Sequence, residues 1–143
     1  HEQEQLASCV AACVRMVLET LGHALTEEEI RRRCGQTPIG LRLRDVAAGL
    51  ADLPVQAALF ENWGIDDLRD ELREGHYPIV GISLRPLDGR FAFHAVVIAK
   101  IEATKIFVHD PEPGKGLREL SLQAFGLAWE AAGRQVLILS TKA

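Results

Sequence analysis

Cys9, His94, Asp110 and Gln3 are the residues whose types and chain order could do chemistry. A thiol that attacks, an imidazole that takes its proton and an acid that orients the imidazole make up the machinery of nucleophilic acyl transfer. Gln3 stands upstream of Cys9, and its side-chain amide is a donor that could reach an oxyanion forming beside the thiol. Cys9 follows Ser8, a good N-cap residue, and the apolar residues Val10, Cys13, Val14, Val17, Leu18 and Leu21 recur at helical spacing. That places Cys9 in a first turn, where amide dipoles and unpaired N–H groups favour thiolate over thiol. His94 lies in the apolar run Phe91 to Ile101, and Asp110 precedes Pro111.

Each of these residues also has a plainer reading. Two cysteines on an amphipathic helix ordinarily pack as small apolar side chains, a histidine in a strand is often a hydrogen-bonded core residue, and Asp-Pro is usually only a turn. It is their joint presence that points to catalysis. Zinc would require a second ligand pair to match Cys9 and Cys13. His23, His76, His94 and His109 supply none, so no metal or cofactor is expected. Cys13 and Cys34 read as packing residues, and His23 and His76 as solvated loop residues. In a strand His109 must face away from Asp110.

The pattern resembles that of the bacteriocin-processing peptidases, papain-like cysteine peptidases that cut leader peptides after a double glycine. Gln3 with Cys9, Ala12, Cys13 and Met16 is similar to the family's Gln and Cys-Gly-x-Ala-Cys-x-x-Met start. His94 with Val96 and Val97 is similar to its His-x-Val-Val strand, and His109-Asp110-Pro111 with Gly114 to its Asp-Pro-x-x-Gly turn. Two positions depart: Val10 stands where the family most often has glycine, and Ser8 where it usually has an acid. The resemblance implies Cys9 as nucleophile, His94 as base, Asp110 as orienting acid and Gln3 as oxyanion donor. It implies a precursor-peptide substrate whose leader ends in Gly-Gly or Gly-Ala and lays an apolar helix face into a groove; the sequence does not assign the groove's residues, and exposed apolar side chains near Leu41, Leu43 or Trp63 are no more than guesses. It also implies a bacterial cytoplasmic location and one of two settings, a domain of an ABC transporter that holds it at the inner membrane or a stand-alone relative. Relatives without the cysteine only bind, and a papain-like hydrolase with another substrate is the other alternative. Retention of all four groups favours an active enzyme.

The elements that must position these groups follow from periodicity and caps. Gly22 ends the first helix; Thr26 and Glu29 form a capping box for a second that runs to about Cys34; Leu43, Val46, Ala47 and Leu50 mark a third. A short extended run from Gln56 to Phe60 and a helix from Ile65, closed by Gly75, come next. Strand patterns cover Pro78 to Leu84, Phe91 to Ile101, Lys105 to His109 and Arg134 to Leu139, with a loop at Pro86 to Gly89 and one helix at Ser121 to Ala131. Helices first and strands later predict an α+β, papain-like fold, N-terminal helices packed on a C-terminal antiparallel sheet, in a single domain over 1–143.

Composition agrees with that class. The 143 residues, 48% hydrophobic and 25% charged, suit one core. A net charge of −4 with no long basic run disfavours nucleic acid, no apolar run approaches the length of a membrane span, and three cysteines argue against a disulfide framework.

Overall fold

Thr26 begins the second helix as its sequence requires: its hydroxyl accepts the Glu29 N–H at 3.1 Å, and Gly35, at φ 70°, ends the helix in the left-handed conformation. The same local chemistry recurs at Ser121, whose hydroxyl caps a later helix, and at Gly89, which ends another in the left-handed conformation, in the computed structural model of the protein, which describes residues 8–38 and 40–142. Helices α1 (Cys9–Thr20), α2 (Glu27–Cys34) and α3 (Val46–Gly49, preceded by a 3-10 turn at Leu43–Asp45) come first. Strand β1 (Val55–Phe60) and α4 (Ile65–Arg73) lead to β2 (Ile79–Ser83), a short α5 (Arg85–Asp88), β3 (Phe93–Ile101) and β4 (Lys105–Asp110). Then follow β5 (Gly116–Ser121), α6 (Leu122–Ala131), capped by Ser121, and β6 (Val136–Thr141).

The strands form one antiparallel sheet in the order β1-β6-β2-β3-β4-β5. Alternation along β3 sends Ala95 and Val97 into a core cluster with Val10, Val14, Val17 and Leu18 of α1. Val96 and Ile98 join a second cluster with Phe125 and Trp129 of α6 and Leu68 of α4. The fold is of the expected α+β class, with helices on both faces of the sheet. Residues 10–14 of α1 are all buried, which the almost uninterrupted apolar sequence of that helix permits.

Two elements differ from the sequence-based expectation. The Pro86–Gly89 loop contains the single turn α5, and β5 is an additional strand. β5 is an edge strand paired only with β4, and most of its side chains are exposed. Its Gly-Leu-Arg-Glu-Leu-Ser sequence therefore lacks the branched apolar pattern of an interior strand.

Candidate active site

Cys9 is the first residue of α1 and half-buried. Ser8 occupies the N-cap position, but its side chain makes no capping hydrogen bond, contrary to expectation. Its backbone (φ −104°, ψ 19°) is not in the extended conformation that aims a capping hydroxyl at the first turn. The fully buried Ser8 Oγ instead accepts from Arg31 Nη1 at 3.3 Å, and Arg31 also pairs with the buried Glu27 at 3.3 Å. The residue before Cys9 is thus anchored to α2.

β3 begins where β4 ends, so the antiparallel pairing brings His94, second in β3, beside Asp110, last in β4. His94 Nε2 lies 2.6 Å from Asp110 Oδ1. An ionised carboxylate only accepts, so Nε2 is the donor and Nδ1 is left for a second partner. The Cys9 thiol is the other side-chain partner that raises His94, and both residues line one cleft. By alternation His94 and Asp110 belong to the α6 face, with Val96 and Val108. They stand at strand ends, where the sheet no longer separates them from the tip of α1.

The electrostatics follow from this packing. Burial opposes the charged imidazole, but the hydrogen bonds with Asp110 and Cys9 and their negative charge outweigh it, and His94 is pushed up to about 9. Burial likewise opposes the Asp110 carboxylate, yet it is held below the usual range by His94, by the Glu112 N–H that donates to Oδ1 at 2.9 Å, and by Arg118. Arg118 Nη1 donates to Asp110 Oδ2 at 2.9 Å. The sequence reading missed Arg118 because its strand was missed; a lone arginine in a polar segment gives no signal of its own.

The other predicted residues fall into place differently. Cys13 is wholly buried in the α1 core, where burial pushes its thiol well up, and Cys34 is half-buried against α3. His109 faces the opposite side from Asp110 and lines a separate hollow with Met16, Val17 and Tyr77. His76 is not solvated as expected: it is half-buried and its Nδ1 lies 2.6 Å from Glu71 Oε2, because the turn after α4 folds it back on that helix. Gln3 lies outside the described residues. Among those described, His94, Asp110 and Glu112 bring potential ligand atoms together. These atoms are already committed, Asp110 to His94 and Arg118, and both Glu112 oxygens to Arg90 at 2.7 and 3.0 Å.

A cleft of about 580 Å³ opens beside Cys9 and His94, lined among others by Val10, Gly40, Leu41, Leu43, Gly81 and Phe93. Leu41 and Leu43 line this cleft but are buried rather than exposed, while Trp63 lies elsewhere, stacked on Phe60 at 4.4 Å between centroids. Phe93, next to His94, is 74% exposed.

A family model described as the peptidase C39 family matches residues 1–142. The chain belongs to the peptidase C39 family. Membership implies cysteine-peptidase chemistry, and it bears out the resemblance read from the three motifs. The fold is shared with solved C39 domains. The peptidase domain of Streptococcus ComA, a bifunctional ABC transporter of a quorum-sensing pathway, superposes with a TM-score of 0.81 at 16% identity, covering 99% of this chain and 96% of that one. A double glycine motif protease from an AMS/PCAT transporter, solved in complex with the leader peptide, gives 0.79 at 19% identity, covering 99% and 90%. No curated protein matches the sequence significantly. Among the described residues of this C39 chain, no helix is long and apolar enough to cross a membrane.

Proposed function

We propose that this chain is a cysteine peptidase that removes the leader from a precursor peptide by cutting after a Gly-Gly-type junction. The observation that carries the reading is the line Cys9, His94, Asp110 at the tip of α1, opening into the 580 Å³ cleft. In this reading His94 takes the Cys9 proton and the thiolate attacks the scissile carbonyl. The oxyanion is held by the Cys9 backbone N–H and by Gln3, whose part rests on the sequence resemblance. The imidazolium gives its proton to the departing amine, leaving a thioester. His94 then deprotonates a water that attacks the thioester, releasing the leader acid and restoring the thiol. Asp110 holds Nε2–H, so that Nδ1 is the nitrogen that exchanges protons.

The double glycine protease solved with its leader peptide supports the substrate class, and the transporter origin of both similar domains supports an ABC transporter as partner. In this reading residues 1–143 form one peptidase domain that works in the bacterial cytoplasm.

The test is mass spectrometry of synthetic precursor peptides with Gly-Gly, Gly-Ala and bulky junctions after incubation with the protein. The expected result is a single cut after the small pair, lost in Cys9→Ala. Iodoacetamide labelling of Cys9 should in parallel slow in His94→Ala. Uncut peptides together with labelling indifferent to His94 would overturn the reading and leave a peptide-binding domain.

A further inference from the structure

Asp110 has a second charged partner that the sequence motifs do not contain. Its side chain has no exposed surface, and its two oxygens are held differently. Oδ1 accepts from His94 Nε2 and from the Glu112 N–H, at 2.6 and 2.9 Å; Oδ2 accepts from Arg118 Nη1 at 2.9 Å. The register explains the reach. Arg118 pairs with Val108 across the β4–β5 ladder, so its side chain leaves the sheet on the same face as Asp110, one diagonal place away. The residue directly opposite Asp110 is Gly116, which has no side chain to block the approach.

We propose that Arg118 is the positioning residue of this site, a permanently charged partner that keeps Asp110 ionised and correctly turned toward His94 throughout the reaction. The inference rests on the peptidase reading above. In that reading His94 alternates between imidazolium and imidazole. Whenever it is neutral, Asp110 would be a buried carboxylate without a counter-charge, a costly state that is relieved by taking up a proton. Arginine does not titrate in the working range, so with Arg118 in place the mobile proton stays on the imidazole and the carboxylate only orients it. The bond to Oδ2 also stops the carboxylate from turning about its own axis, which would exchange the oxygens presented to Nε2 and to the Glu112 N–H. The groups facing Asp110 are His94 from β3, Arg118 from β5 and Glu112 from the turn that follows β4; from α1, the buried Cys13 thiol also feels its charge.

The experiment measures the rate of Cys9 alkylation by iodoacetamide from pH 5 to 9, with mass spectrometry to assign the site, in wild type, His94→Ala, Asp110→Asn, Arg118→Met, Arg118→Lys and the double variant Asp110→Asn/Arg118→Met. In Arg118→Met the rate near pH 6 should fall on the order of tenfold, by analogy with the low end of the effect of removing outer partners of metal-ligating histidines. Arg118→Lys should recover much of it. In the Asp110→Asn background Arg118→Met should add nothing, because it acts through the carboxylate that is gone. Unchanged labelling in Arg118→Met, while His94→Ala and Asp110→Asn are slow, overturns the role of Arg118 and leaves the peptidase reading standing. Losses that add in the double variant overturn it too, since they indicate general loosening of the edge strand. Labelling that ignores His94 overturns both. If Arg118→Met does not fold, Arg118→Gln, which keeps a donor without the charge, takes its place with the same expected loss.

Discussion

Raising the pH through the titration of His94 should unlock the fold by a predictable amount. The ordinary imidazole value is 6.5, and in the folded chain it is pushed up to about 9 because Asp110 and Cys9 outweigh burial. A proton bound more tightly in the folded than in the unfolded state stabilises the folded state. That contribution is complete below 6.5 and is lost as pH rises through about 9. At 1.36 kcal/mol for each tenfold change in proton affinity, the difference amounts to about 3 kcal/mol, a large share of a domain's net stability. The interaction belongs jointly to His94 and Asp110 and is counted once. The assay is urea unfolding at pH 6 and at pH 9.5 in wild type and Asp110→Asn, with the His94 ring followed by NMR across the same range. Wild type should lose about 3 kcal/mol more than the variant between the two conditions, and its ring should titrate near 9. In Asp110→Asn the burial that opposes the charged ring loses its main opponent, so the midpoint should fall back toward 6.5 or below. A wild-type ring that titrates near 6.5, or equal pH dependence in the two proteins, would refute the reasoning.

Three further outcomes can be checked directly. Gln3→Ala should slow peptide cleavage on the order of a hundredfold or more, the usual cost of one oxyanion donor, with an unchanged melting temperature. Gly49→Ala should destabilise the chain by about 1–3 kcal/mol in urea unfolding, because the new methyl would lie 2.6 Å from Cys34 Sγ and 2.8 Å from the Arg33 carbonyl oxygen, with backbone on the α2 side unable to yield. Trp129→Ala should cost about 3–5 kcal/mol by the same measure. It empties a wholly buried position between α6 and the sheet and removes the indole N–H that donates to the Gln135 carbonyl oxygen at 3.1 Å.

What the sequence determined by itself was local or carried by repeated pattern. The Thr26 and Ser121 caps, the glycine that ends α2 and the apolar periodicity of α1 are decided within a few residues, so helix boundaries and the place of Cys9 at a helix start were legible. The branched runs of β2, β3 and β6 announce buried strands because helices cover both faces of their central residues, while β4 buries Ile106 and Val108 on one face only. The pairing of His94 with Asp110 was readable as a combination of types, though not as a distance. Tertiary structure alone decided the rest. Strand order brings β6, the last strand, between β1 and β2, and no local signal encodes that. β5 is held by backbone hydrogen bonds to a single neighbour and buries little, so its sequence carries no hydrophobic imprint, and Arg118 stayed hidden with it. Ser8 has the chemistry of a cap but was claimed by Arg31, because a buried hydroxyl bonds to whatever donor the packing brings near. The cleft, too, is assembled from Val10, Leu41, Gly81 and Phe93, residues far apart in the chain that come together only when α1 and the segment after α2 pack on one face of the sheet.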